Sequence, residues 1–433
     1  MIYNREMECI DRKKLQELQL RKLQETVKRV YDKVPFYRKK LDEANIKPDD
    51  IKKLEDIRKI PFTTKEDLRQ NYPYGLFAVP LKDVVRIHGS SGTTGKPTIV
   101  GYTKNDIEMW SECVARIVTA AGATREDVAQ IAFGFGLFTG AFGLQQGLEK
   151  IGATIIPMSS GNTEKQIMMM QDLGTTVLVS TPSYALYMSE VAEQMGIKNG
   201  DLKLRLGLFG AEGHTEEMRK ELEKRWGIQV TENYGLSEIV GPGVAGECLE
   251  HKGQHINEDH FLFEIIDPES GEVLPWGEKG EIVITPLSKE ALPLLRYRTK
   301  DISYIMDDPC PCGRTTARMA KIQGRSDDML IIKGVNVFPS QVESVLLNIE
   351  GVGPHYQLVV RKNGFVDDLE VLVEVVDSSL LEKFSELEAL EQRVKSKIHT
   401  VLGIDTKVRL VEPRSIERSI GKAKRVIDLR NQK

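Results

Sequence analysis

Leu15, Leu18, Leu23, Val27 and Val30 recur at spacings of three to five with charges between them, and Pro35 ends the run. That spacing predicts an amphipathic helix. Thr63-x-x-Glu66 ahead of Leu68 has the form of a capping box and predicts a second helix start at Thr63. From about residue 83 to 300 the pattern alternates. Short β-branched or apolar runs at 130–133, 154–157, 176–180, 204–208 and 228–232 are separated by helical stretches such as 164–173 and 216–226. Strand–helix alternation of this kind predicts an α/β domain with mostly parallel sheets.

The last third changes character. A strand at 329–333 is followed by a capping box, Ser340-Gln-Val-Glu343, opening a helix to Leu347. Strands at 356–360 and 369–376, a helix over 381–401 and a strand at 408–411 complete a β-α-β-β-α-β order, which predicts a small ferredoxin-like α+β unit. The border falls near Asp327, giving a large domain over 1–326 and a small one over 327–433. No internal repeat or low-complexity stretch appears.

Composition narrows the function class. The 433 residues carry 60 Lys+Arg against 64 Asp+Glu, a net charge of −4, which argues against a nucleic-acid binder that works by neutralising phosphates. The five cysteines are too few and too scattered for a disulfide framework. The charged start, Met1 to Lys14, lacks an apolar signal core, and the longest apolar candidate, 131–144, is broken by four glycines. These features read as a cytoplasmic protein with no membrane span.

The strongest local signal is Ser90-Ser-Gly-Thr-Thr-Gly-Lys-Pro97. Gly92 and Gly95 leave backbone N–H groups free to face an anion, while Ser91, Thr93, Thr94 and Lys96 add donors and charge, so the segment reads as a phosphate cradle. It is not a Walker loop. Counted from Gly89, Thr94 stands where glycine is required, and Pro97 stands where a magnesium-binding hydroxyl should be. A flexible Ser/Gly-rich turn is the competing reading.

Four further motifs follow in order: Tyr234-Gly-Leu-Ser-Glu238, Arg296-Tyr-Arg-Thr-Lys-Asp301, Gly324-Arg-Ser-Asp-Asp328 with Ile331-Ile-Lys-Gly-Val-Asn336, and Gly421-Lys422 with Arg425. Together with the loop at 90–97 they resemble the motif set of the adenylate-forming enzymes of the acyl-CoA synthetase superfamily, over about residues 10–430. Within that family the chain is similar to the phenylacetate-activating branch, on Pro61–Leu68, Gly136–Gly140, Glu258–Phe261 and Asn336–Ser340.

The resemblance implies a ligase that uses ATP to turn an aryl-acetic acid into an acyl-AMP, releasing pyrophosphate, and then passes the acyl group to coenzyme A. By the same resemblance Ser90 to Lys96 hold phosphate, Gly210, Ala211 and Glu212 lie near adenine, and Tyr234 and Gly235 lie beside it. A core tyrosine is the alternative for Tyr234. Asp301 takes the ribose hydroxyls, Arg325 offers donors to phosphate or ribose, and Glu238 helps hold Mg²⁺. Lys422 reaches the α-phosphate and the substrate carboxylate; alone it would be one more cation in a basic tail. Asp327 is the hinge of a mobile C-terminal domain, and Gly334 sits where the pantetheine arm passes. A homodimer is also implied.

Phe133, Phe135, Phe138 and Phe142 are interleaved with glycines and line either an acid pocket or a core. Phe135, Phe138 and the apolar Ile239 are the pocket candidates, and the family pattern often shows tyrosine near Phe135. Cys248, His255, Cys310 and Cys312 form a Cys₃His set of the structural zinc type, with His251 and His260 competing for the fourth place. Three reduced thiols without metal are the alternative. For function, a ligase of another aromatic acid (indole-acetic or hydroxylated) and a non-catalytic adenylate-binding protein are the other readings.

Overall fold

Asp11 accepts hydrogen bonds from the Lys13 and Lys14 amides and so opens the first long helix, along which Leu15, Leu23, Val27 and Val30 are buried. This is α2 (Arg12–Lys33), preceded by one turn, α1 (Arg5–Glu8), and followed by α3 (Pro35–Glu43), whose first residue is the proline that ends the apolar run. The computed structural model describes residues 1–90, 97–332, 335–363 and 366–430. Contacts divide the chain into two units: Met1–Ser180 with Gly200–Ala211 and Gln229–Lys321, and Thr181–Asn199 with Glu212–Ile228 and Ile322–Lys433.

In the first unit, α4 (Lys65–Gln70) is capped by Thr64 with Asp67, one residue later than the sequence pattern placed it. The displacement has a tertiary cause. Thr63 is buried, donates to the Leu295 carbonyl at 2.6 Å and lies 2.9 Å from the Tyr37 hydroxyl, so its oxygen is taken. The antiparallel pair β1 (Arg86–Gly89) and β2 (Ile99–Tyr102) is followed by α5 (Lys104–Ala120), β3 (Val128–Ile131), α6 (Gly140–Lys150), β4 (Thr154–Ile156), α7 (Thr163–Leu173) and β5 (Val177–Ser180). The next two helices, α8 (Pro182–Gln194) and α9 (Glu216–Trp226), belong to the second unit. Between and after them run β6 (Leu206–Gly210) and β7 (Gln229–Leu236). Then come β8 (Gly241–Glu247), β9 (Gln254–Ile256), β10 (Phe261–Ile266), β11 (Gly280–Pro286), β12 (Tyr297–Ser303), β13 (Ile305–Met306) and β14 (Arg318–Met319).

The larger sheet has the order β13-β14-β9-β8-β7-β6-β5-β3-β4. It is parallel from β7 to β4 and antiparallel from β7 to β13. The parallel strands β3 to β6 lie within two residues of the apolar runs that predicted them, because each is a short run of apolar or β-branched residues and all but β4 are largely buried. The antiparallel half was not visible in the pattern. Strand β8 reads Gly-Pro-Gly-Val-Ala-Gly-Glu, a composition that looks like a loop. Its glycines are there for packing: a Cβ on Gly241, Gly243 or Gly246 would lie 2.6–2.8 Å from Trp110, Val114 or Ile117 of α5. On α6, Gly143 and Gly147 meet Trp110 and Val114 in the same way. Helix α5 is thus wedged among five glycines. Strands β10, β11 and β12 pair antiparallel in a separate sheet.

The motif Glu258–Phe261 anchors the N-terminal helix. Arg12 donates to both Glu258 oxygens, Gln19 and Lys22 donate to the Glu258 and Asp259 carbonyls, and Asp259 takes a two-pronged bond from buried Arg116.

In the second unit, α8 and α9 are joined by β15 (Gly324–Arg325), β16 (Leu330–Ile332), β17 (Val335–Val337), α10 (Pro339–Leu347), β18 (Val352–Asn363), β19 (Val366–Val375), α11 (Phe384–Leu402), β20 (Lys407–Val411) and β21 (Val426–Asp428). The small α+β character holds, but the strand set differs from the expected order. Strand β16 pairs with β17 as a ribbon, and the four-stranded sheet runs β20-β19-β18-β21. Strand β21, which the pattern did not predict, adds parallel to β18. Helix α10 begins at Pro339, with Gln341 accepting from the Phe338 amide; the Ser340 hydroxyl expected as cap donates instead to the Gln323 carbonyl. Val342, Leu346, Leu358, Val360, Val371, Val373, Val394 and Ile398 form the core, each contributing about 1.5–3 kcal/mol by burial. No described helix is long and apolar enough to cross a membrane.

Candidate active site

Tyr234 on β7 and Asp301 on β12 meet in the first unit. The Tyr234 hydroxyl donates to Asp301 Oδ2 at 2.6 Å, both residues being buried. The Asp301 amide donates to Thr299 Oγ1 at 3.1 Å, which fixes the turn of chain behind the carboxylate. The two arginines before Asp301 are committed elsewhere. Arg296 makes two 2.9 Å bonds to Glu264 and lies over the Phe62 ring, and Arg298 is paired with Glu281. Gly235 has no alternative. A Cβ there would sit 1.8 Å from the Gly241 carbonyl, at the point where the β7–β8 register shifts.

Beyond β7, Ser237 Oγ lies 3.1 Å from Thr139 Oγ1, and nearly buried Glu238 lies 3.9 Å from the Lys65 ammonium. Lys65 was not assigned a role from sequence, although it lies in a motif that was noted; only the fold brings it to Glu238. Ile239 is completely buried. Gly210 ends β6 with no room for a side chain against Asn233, and Ala211 holds a φ of +69°, a left-handed conformation costly outside glycine. Ser90 and Thr98 are joined by hydrogen bonds in both directions. Ser91, Gly92, Thr93, Thr94, Gly95, Lys96 and Gly334 lie outside the described residues.

Of the four phenylalanines, Phe133 is core, while Phe135, Phe138 and Phe142 are partly exposed. Phe135 meets Phe142 edge-on at 5.2 Å, Phe142 lies 5.3 Å from His88, and His88 stands edge-on to Tyr102, which stacks on Trp110. The Lys289 ammonium sits 3.2 Å from the Tyr102 ring centre, enclosed and without a hydrogen-bond partner among the described residues. Burial pushes its pKa down to about 7, with Asp106 opposing. Between that value and the unfolded lysine's, the unfolded chain binds more protons, so this residue makes stability rise with pH from about 7 to about 10.5. Lys289→Met is expected to raise stability by about 2–4 kcal/mol near neutral pH and to flatten that rise, measured as thermal midpoint against pH. An unchanged midpoint would mean the ammonium is compensated.

In the second unit, Arg325 makes two bonds of 2.8 and 2.9 Å to Asp327, the expected hinge. Glu212 accepts from the Ser183 amide at 2.7 Å and from the Ala423 amide at 2.9 Å. Lys422 is exposed, next to that second contact. Burial raises the Asp328 carboxyl, with Arg325 and Lys422 opposing.

The metal candidates converge. One ligand atom each from Cys248, His255, Cys310 and Cys312 falls within 4.8 Å of the others. Cys248 and Cys310 sulfurs are 3.7 Å apart, and Cys312 Sγ is 3.3 Å from His255 Nε2. The other imidazole nitrogen of His255 lies 3.3 Å from Thr316 Oγ1, the kind of outer contact that orients a ligating histidine. His260 is engaged with Ser288 and Asp259, and His251 lies 3.7 Å from Glu247, so of the three histidines it is His255 that lies with the thiols. Three sulfurs and one imidazole nitrogen fit zinc.

The sequence profile of the AMP-binding enzymes matches residues 4–286, and that of the AMP-binding enzyme C-terminal domain matches 334–430. A phenylacetate-coenzyme A ligase of Thermus thermophilus is 49% identical over 99% of this chain and 100% of its own length. One of Escherichia coli is 51% identical over 96% of this chain and 95% of its own. Among solved structures, 2-hydroxyisobutyryl-CoA ligase in the postadenylation state with 2-HIB-AMP superposes with a TM-score of 0.92 at 28% identity, covering 98% of this chain and 91% of that one.

Proposed function

We propose, from the premise that this chain belongs to the family of AMP-binding enzymes, that it is an ATP-dependent acid–coenzyme A ligase whose acid is phenylacetate. The observation that carries the reading is near-complete alignment, at about half identity, with ligases of that acid in four organisms.

Oxide cannot leave a carboxylate, so the acid is activated first. A carboxylate oxygen attacks the α-phosphorus of ATP, the bond to the bridging oxygen breaks and pyrophosphate departs. The coenzyme A thiol then gives up its proton, its sulfur attacks the acyl carbon, and AMP leaves. Both steps rest on positioning and on stabilising charge at phosphate oxygens. In our reading Lys422 supplies charge to the α-phosphate and the carboxylate in the first step, and the loop Ser90–Lys96 with Arg325 receives phosphate. Asp301, held by Tyr234, takes the ribose hydroxyls, and Gly210, Ala211 and Gly235 border the adenine. Magnesium bound with ATP would neutralise phosphate charge, and Glu238 is the carboxylate donor that suits it. Phe135 and Phe138 offer apolar faces to the aryl ring, with Ile239 packed behind. The division at 326/327, the hinge at Asp327 and the pantetheine path at Gly334 belong to the same proposal. So do a structural zinc on the Cys₃His cluster, a homodimer and a cytoplasmic location.

The test is pyrophosphate release across a panel of carboxylic acids with ATP and Mg²⁺, with and without coenzyme A. Phenylacetate should give release, and a thioester only when coenzyme A is present. Release with an indole-acetic or hydroxylated aryl acid instead would move the substrate assignment to the Phe135 pocket. Silence across the panel in protein that binds ATP would overturn the enzyme reading.

A further inference from the structure

The two peptide groups on either side of the Lys422 Cα are each held by a side chain from outside the loop. The Thr181 hydroxyl donates to the Gly421 carbonyl at 2.9 Å, and the Ala423 amide donates to Glu212 Oε2 at 2.9 Å. Within the loop, the Ser419 hydroxyl donates to the Lys422 carbonyl at 2.8 Å and accepts from the Gly421 amide at 3.2 Å. The backbone of Lys422 is thereby fixed on both sides.

Both holding residues are themselves tied to the start of α8. Thr181 is its N-cap, accepting from the Tyr184 amide at 3.1 Å, and Glu212 uses its other oxygen for the Ser183 amide. Helix N-termini leave unpaired amides and favour a carboxylate, so Glu212 is well held there. Ion pairs bracket the loop further out. Arg418 bonds Glu190 and Glu374 at 2.7–3.3 Å, and Arg425 lies 3.4 Å from Glu343. All these residues belong to one unit.

We propose that Thr181 and Glu212 are positioning residues that hold Lys422 for the acyl-adenylate step, an inference that rests on the role given to Lys422 above. They act by removing backbone freedom that an unheld loop would lose in the transition state. This places the Glu212 carboxylate on the loop rather than on the nucleotide.

The experiment uses full-length Thr181→Val, Thr181→Ser and Glu212→Gln, in the wild-type and Lys422→Ala backgrounds. Three quantities are read: pyrophosphate release from acid and ATP, thioester formation from supplied acyl-AMP, and amide hydrogen exchange over residues 419–425. Thr181→Val and Glu212→Gln should slow pyrophosphate release about 10–100-fold, with the KM for ATP changed by no more than about twofold. Thioester formation in Thr181→Val should stay within about twofold, and Thr181→Ser should restore release. In Lys422→Ala neither change should cost anything more. Equal loss of both half-reactions would show a general structural role. A further loss in Lys422→Ala, with a raised KM for ATP, would put Glu212 on the nucleotide. If Lys422→Ala itself releases pyrophosphate normally, the role of Lys422 falls. Hydrogen exchange still decides the holding contacts: unchanged protection over 419–425 in Glu212→Gln overturns them.

Discussion

Lys422→Ala is expected to lower pyrophosphate release from acid and ATP by about 10²–10³-fold, the loss typical of one charge-stabilising donor at a transition state. Thioester formation from supplied acyl-AMP should survive, because that step moves an acyl group from phosphate to sulfur with no new charge at the α-phosphorus. The split between half-reactions is the informative part. Uniform loss would say that the substitution had damaged the fold around residues 418–425, where Arg418 and Arg425 make buried and half-buried ion pairs. Retention of both would remove Lys422 from the chemistry. Lys422→Arg should recover little, since a planar fork does not replace a point charge on a short reach.

The second large effect concerns the Cys₃His cluster. Purified protein is expected to hold about one zinc per chain, and Cys310→Ser/Cys312→Ser to hold none. The cluster ties the chain after β8 to β9 and to the loop before β14, where Arg318 pairs with His255 across strands. Loss of metal should therefore lower the unfolding midpoint markedly, with a cost of several kcal/mol expected for a structural zinc. Pyrophosphate release by the folded fraction should change little, because the proposed mechanism gives none of these four residues a part in the chemistry. A metal-free wild type of equal stability would establish three plain thiols, with Cys248 and Cys310 buried as small apolar groups.

Much of this was legible along the chain, and the exceptions have physical causes. The parallel strands and Glu216–Trp226 stood out because a buried strand is a run of β-branched residues and a surface helix repeats every three to four. Strand β8 did not, since its glycines serve the close approach of α5 and so erase the strand signature. Both capping boxes were placed one or two residues off because Thr63 and Ser340 spend their hydroxyls on Leu295 and Gln323, partners far away in sequence. Strand β21 is three residues long and gains its identity only by pairing with β18. Among site residues, the resemblance of their motifs to those of a known family pointed to Tyr234 and Asp301, and the structure adds the bond between them. The sequence already put His255 ahead of His251 and His260, and the structure brings its ring to the sulfurs. Thr181 carried a visible local signal, a threonine before proline at a helix start, yet nothing local tied it to Gly421, which lies 240 residues away.

The wedge of α5 among five glycines bears on how this sequence can drift. Trp110, Val114 and Ile117 already fill the space that Gly143, Gly147, Gly241, Gly243 and Gly246 leave open. A smaller residue on the helix opens a void, and a side chain in place of a glycine meets a ring or a branched carbon. Either change alone is costly, so volume here can only be traded, given up by the helix and taken by a neighbour in one exchange. Gly241 and Gly243 cannot join such a trade, because their φ values of +100° and +105° exclude an ordinary side chain. Gly147 and Gly246 cannot either, since an added Cβ would lie 2.5 and 2.6 Å from the Cβ atoms of Val114 and Ile117, which any residue but glycine keeps. Only Gly143 faces the far end of a helix side chain, the Trp110 ring, with Pro242 beside it. Reshaping the support beneath the Tyr234–Glu238 segment therefore requires coupled substitutions at Trp110 and Gly143, and a library that varies single sites would find none of them.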